Sequence, residues 1–196
     1  MKTTQERKTT RGLLIQVDMV VTHTPSLWLR IANWLGADIQ WTHALLRYRV
    51  GESSPRIIEA GSQGVVDDVW TPDGYHQYGV YRLRDQWFDK VTDRQEAYER
   101  MYSFAAGEVG KRYRFEALPV ILWRIIKRIP RVAVADRYTT LVGTGEVCTS
   151  LVDRTFLWGG FDLVPGETSP FVLPDDLVGS PLVEMIEHGG GHNPRQ

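Results

Sequence analysis

The stretch Trp41–Ala60, WTHALLRYRVGESSPRIIEA, decides the fold class. Its two ends are apolar runs, and between them Gly51-Glu52-Ser53-Ser54-Pro55 is turn chemistry. Strands Trp41–Arg49 and Arg56–Ala60, joined by so short a loop, are antiparallel neighbours, since a parallel crossover needs about a dozen residues or more. A hairpin centred on Gly51 opposes His43 to Glu59 and Leu45 to Ile57, all on one side of the sheet.

Further strands extend this hairpin. Gly64–Trp70 and Tyr78–Leu83 follow it, set off by Gly61-Ser62 and Thr71-Pro72-Asp73-Gly74, and Leu13–Val21 precedes it. Thr24-Pro25-Ser26 opens a helix that carries Leu27, Trp28, Ile31, Trp34 and Leu35 at helical spacing and ends at Gly36. A longer helix runs from Asp93 to about Val109, with Thr92 as cap and Gln95 completing a capping box. Pro119–Ile129 and Cys148–Leu157 read as two more helices, and a last turn begins near Pro174-Asp175-Asp176-Leu177. The class is α+β, an antiparallel sheet packed against helices. One domain is expected over 12–187, with 1–11 and the Gly-rich 188–196 as loose termini.

Composition narrows the function classes. The 196 residues carry 23 basic and 24 acidic side chains, a net charge of −1, which argues against a dedicated nucleic-acid binder. The longest apolar run, Ala117–Trp123, is far short of the roughly 20 residues of a membrane span. The polar start MKTTQERKTTRG does not read as a secretory signal, so a cytoplasmic or phage-borne protein is expected. A single cysteine, Cys148, excludes an internal disulfide and any multi-cysteine zinc site. His188 and His192 have metal-like spacing but no further ligands beside them, and neither a metal nor a cofactor is expected. Basic residues dominate from Lys111 to Arg131 and acidic ones from Glu146 to Glu187; the two segments either attract each other within the fold or are merely solvated, or the basic one meets an anionic partner.

Three side chains carry candidate chemistry. Cys148 stands at the start of a helix, where unpaired amides and the macrodipole favour a thiolate, although a small apolar core residue would fit there too. His43 interrupts an apolar strand, where an imidazole needs a partner. Glu59 ends another apolar strand, and a carboxylate there needs one as well. Thiol, imidazole and carboxylate together have the logic of nucleophile, base and orienting group.

Trp41-Thr42-His43-Ala44-Leu45-Leu46, Ile57-Ile58-Glu59-Ala60 and Val147-Cys148-Thr149-Ser150-Leu151-Val152 resemble blocks of the permuted NlpC/P60, papain-like proteins of the YiiX/YebB type. The Gly110-Lys111-Arg112-Tyr113 turn, Pro174-Asp175-Asp176-Leu177 and Ser180-Pro181-Leu182 occur in the matching order, so the resemblance spans about 12–187. It implies a circularly permuted papain-like fold with Cys148 as nucleophile, His43 as general base and acid, and Glu59 as the group that orients the imidazole. Tyr113 and Asp18 fall at substrate-contact positions of that pattern. The activity implied is hydrolysis of an amide bond in a peptide or peptidoglycan-like substrate, or of an acyl group. Ala117–Arg131, which mixes aliphatics and Trp123 with Arg124, Lys127, Arg128 and Arg131, has the make-up of a peripheral membrane helix or of a buried helix with snorkelling arginines. The alternatives to an amidohydrolase are therefore a lipid-directed acyl hydrolase or acyltransferase, or a catalytically idle binding module on the same fold.

Overall fold

The computed structural model describes residues 14–25, 30, 33, 39–91, 93–112, 148–166 and 172–190. Six strands form one antiparallel sheet: β1 (Ile15–His23), β2 (His43–Val50), β3 (Arg56–Gly61), β4 (Gly64–Val69), β5 (Gln77–Leu83) and β6 (Val183–Gly189), in the spatial order β4-β3-β2-β1-β5-β6. The helices are α1 (Asp85–Val91), α2 (Arg94–Glu108), α3 (Cys148–Trp158) and the short α4 (Pro174–Val178), with a 3-10 turn at Pro72–Gly74. None of the described helices is long and apolar enough to cross a membrane. The protein is α+β, as the hairpin-dense pattern predicts.

Alternation along the strands builds two apolar layers. Val17, Met19, Val21, Ala44, Leu46 and Ile58 face α2 and α3, meeting Tyr98, Met101, Ala105, Leu151, Val152 and Phe156. Val20, Leu45, Ile57 and Val80 face the other way, under Trp70, Tyr75 and Tyr78 from the β4–β5 connection and the start of β5. Full burial stabilises each such large aliphatic or Phe side chain by about 1.5–3 kcal/mol. Phe156, with no exposed surface, therefore anchors α3 firmly to the sheet.

The β2–β3 register differs from the sequence expectation. The pairs are Leu46–Ile58, Arg47–Ile57 and Tyr48–Arg56, so the hairpin is centred on Glu52 and not on Gly51. Pro55 has no N–H to pair, and the turn closes instead through Ser53, whose hydroxyl accepts from the Val50 N–H and whose own N–H donates to the Val50 carbonyl. The resulting slip is two residues. An even slip preserves the face, so His43 and Glu59 still share a side, set diagonally.

Other boundaries also move. The cap of α2 is Asp93, whose carboxylate accepts from the N–H groups of Gln95 and Glu96; a carboxylate there also complements the helix dipole. His188 and Gly189, expected in the loose tail, belong to β6 and pair with Gly79 and Tyr78. Neither β6 nor α1 stands out in the sequence, because β6 alternates poorly, with Met185 and Ile186 both exposed. Arg30 and Asn33 are helical, as predicted for 24–36, and most of that helix lies outside the described residues. The same holds for the helix expected at Pro119–Ile129.

After α2, the chain turns at Gly110 and lies along the start of β4: the Val65 N–H donates to the Lys111 carbonyl and the Gly110 N–H to the Val65 carbonyl. Gly64 permits this contact. Its φ of +98° lies in the left-handed region, and a Cβ there would collide with the Lys111 carbonyl.

Candidate active site

β2 and β3 deliver the imidazole and the carboxylate, and α3 delivers the thiol as its first residue. The described β2–β3 pairing ends at Leu46–Ile58. α3 packs against both strands, with Cys148 as its first residue.

His43 Nε2 lies 3.3 Å from Glu59 Oε2, with each side chain about one quarter exposed (25% and 29%). The Cys148 thiol stands near enough to the imidazole for each to set the other's protonation. With Nε2 turned to Glu59, Nδ1 is the ring nitrogen left for the sulfur. The backbone amides of Ala44 and Thr149 are also close enough to the sulfur to favour its anionic form. Thr149 is the second residue of α3, so its N–H belongs to the first turn, where amides have no partner within the helix.

These contacts set the charges. Burial works to lower the His43 pKa, but the sulfur and then the Glu59 carboxylate outweigh it and raise it from 6.5 to about 10. Burial alone would push the Cys148 thiol up; the imidazolium charge, its hydrogen bond and the two amides more than offset this, and the thiol falls below its ordinary 9.0. A thiolate–imidazolium pair beside an acceptor carboxylate is the ground state these shifts favour.

An aromatic group stands near enough to Glu59 for Tyr75 to feel its charge. Trp70 stacks on Tyr75 at 5.3 Å between centroids and meets Tyr78 edge-on at 5.4 Å. Burial first, then the negative charges of Glu59 and Asp68, push the Tyr75 hydroxyl up to about 12, so it stays protonated.

Cys148, His43 and Glu59 are thus brought together as predicted. Asp18 is not brought to them. It is buried, its carboxylate taken by Arg47 at 3.0 Å and by Arg82 at 2.8 and 3.1 Å, with Gln16 at 3.1 Å. That double ion pair gives it a structural task on the sheet face away from α2 and α3, apart from the three residues of the site. Tyr113 and the Ala117–Arg131 stretch lie outside the described residues. His188 Nε2 sits 3.2 Å from the Gln77 side-chain amide, and among the described residues no cluster of His, Cys, Asp and Glu could hold a metal ion.

Sequence reasoning missed three contributors to the site. The amides of Ala44 and Thr149 have no side-chain signature. Asp175, which binds the backbone of Gln40 and Trp41, comes from 135 positions away, and only the Pro-Asp-Asp-Leu motif drew notice to it. No protein-family model matches the chain, and no curated protein matches it.

Proposed function

We propose that the protein is a cysteine hydrolase of the permuted papain-like, NlpC/P60 type, cleaving an amide bond in a peptide or peptidoglycan-like substrate. The single observation that carries this reading is the meeting of three side chains from separate elements, the His43 imidazole hydrogen-bonded to Glu59 at 3.3 Å with the Cys148 thiol beside it at the start of α3. An idle binding module has no use for a thiolate held against its burial penalty.

The Cys148 thiolate attacks the substrate carbonyl carbon, forming a C–S bond and an oxyanion. The first turn of a helix, where Cys148 stands, is suited to stabilise that oxyanion through its amides and the positive end of its dipole. As the C–N bond breaks, His43 gives its Nδ1 proton to the departing amine, leaving a thioester on Cys148 and a neutral imidazole. Water then gives a proton to His43 and adds to the thioester carbon. The C–S bond breaks, the acid leaves, and the thiolate–imidazolium pair is restored. Glu59 accepts the Nε2–H throughout, fixing the tautomer.

Intact-mass spectrometry of the protein mixed with matched peptide amides, esters and thioesters tests the reading. A transient acyl adduct on Cys148, absent in Cys148→Ala and hydrolysed slowly in His43→Ala, supports it. Adducts from esters or thioesters alone would move the assignment to an acyl hydrolase. No adduct with any of them, in a protein whose thiol titrates ordinarily, would leave the binding module.

A further inference from the structure

The backbone leading into His43 is held group by group. The Ile39 N–H donates to Asn33 Oδ1 at 2.7 Å, and the Ile39 carbonyl accepts from Asn33 Nδ2 at 2.8 Å. The Gln40 carbonyl accepts from His23 Nδ1 at 2.7 Å. Thr42 donates both its N–H (2.9 Å) and its hydroxyl (3.1 Å) to the Thr22 carbonyl, and its Oγ1 accepts from the Thr24 N–H at 2.9 Å. Between these anchors, the N–H groups of Gln40 and Trp41 donate to the two oxygens of one carboxylate, Asp175, at 3.0 and 3.3 Å.

The other anchors come from within twenty positions of the strand they hold, whereas Asp175 comes from 135 positions away, on α4. That helix also packs against α3, whose first residue is Cys148. The Asp175 carboxylate therefore joins the strand that carries the base to the layer that carries the nucleophile. Trp41 completes the fixation: its side chain is 2% exposed, and a Cβ added at Gly79 would stand 3.5 Å from its ring. A shift of the lead-in by about 1 Å would take the imidazole out of hydrogen-bond range of the sulfur.

We infer that Asp175 is a positioning residue for His43: by clamping the amides of Gln40 and Trp41 it holds the imidazole against Cys148. This rests on the thiolate–imidazolium reading of the site and adds to it the group that keeps the pair in register. Neither Asp175 oxygen needs to touch the substrate or the reacting atoms.

The test compares the pH dependence of Cys148 alkylation by iodoacetamide in the native chain, Asp175→Ala, Asp175→Asn and Asp67→Ala. Asp67 is a paired carboxylate on the edge strand β4, bound to Tyr48 and Arg56 and apart from the site, so its loss reports general loosening. Asp175→Ala is expected to raise the thiol midpoint by about one pH unit, slowing alkylation on the acid side about tenfold. Asp175→Asn, which keeps one acceptor oxygen, should fall between it and the native chain. Asp67→Ala should melt at a lower temperature with the native midpoint. A native midpoint in folded Asp175→Ala, or an equal shift in Asp67→Ala, overturns the inference; should Asp175→Ala not fold, an unshifted Asp175→Asn does so. If native Cys148 itself titrates like free cysteine, the functional reading fails separately. Amide exchange at Gln40 and Trp41 then decides the clamp alone: faster exchange in Asp175→Asn upholds it, and unchanged exchange refutes it.

Discussion

His43 and Glu59 are hydrogen-bonded at 3.3 Å although they do not face each other across the hairpin; in the β2–β3 register Glu59 is level with Leu45. A diagonal pair on one face of an antiparallel sheet is within reach of long side chains.

The thiol should be ionised well below the pH at which free cysteine titrates. Alkylation of native Cys148 by iodoacetamide is expected to show a midpoint under about 7.5, the upper end for thiols at helix starts beside an imidazolium. His43→Ala removes the largest of the lowering influences and should move the midpoint above about 8.5. Mass spectrometry of the modified peptide reads both values. A native midpoint above 8 would contradict the assigned charge state.

Removing the orienting carboxylate should be milder than removing the base. His43→Ala is expected to lower the rate of amide hydrolysis by about 10²–10⁴, the usual contribution of a positioned acid–base group. Glu59→Gln keeps a hydrogen-bonding side chain and should lose less, with the imidazole titrating nearer its ordinary value. Steady-state rates together with NMR titration of the ring check this, and equal losses in the two variants would argue for a direct chemical role of Glu59.

Asp18 should matter for folding and not for chemistry. Asp18→Ala leaves Arg47 with Glu187 as its remaining carboxylate partner and takes from the part-exposed Arg82 the carboxylate it binds, an expected loss of about 1–3 kcal/mol. Urea unfolding measures that cost. The alkylation midpoint of Cys148 should be unchanged.

The site also predicts a shape for stability against pH. The raised His43 pKa contributes stability that is full below 6.5 and is lost as pH rises through about 10. The lowered Cys148 pKa contributes stability that is full above 9.0 and is lost as pH falls through its folded value. Between 6.5 and 9.0 the two slopes cancel, because the ion pair and the neutral pair hold the same number of protons. The difference in unfolding free energy between the native chain and the double variant Cys148→Ala/His43→Ala, which lacks both groups, should therefore flatten across that window. A steady slope through it would show that the pair does not titrate as a unit.

Legibility in the sequence followed the range of the interactions. The strands around Trp41–Ala60 were readable because alternation and turn residues are local signals, and Cys148, His43 and Glu59 stood out as chemically costly residues in apolar surroundings. Parity also survived: the Gly51-centred register was off by two, yet the face assignment of His43 and Glu59 held. Asp18 misled because its partners, Arg47 and Arg82, lie 29 and 64 positions away. β6 was hidden because an edge strand with one paired side needs little hydrophobic patterning, and Asp175 because its task is bonding backbone amides.

Five of the six described strands, including those of His43 and Glu59, lie within the first 83 positions, whereas Cys148 and Asp175 come much later. A chain emerging from the ribosome thus carries His43 and Glu59 well before it carries Cys148. The groups that lower the thiol pKa most lie more than a hundred positions from it, so they act on it only once α3 has packed against the sheet. The shifted thiol is therefore a property of the completed tertiary structure and not of the sequence around Cys148.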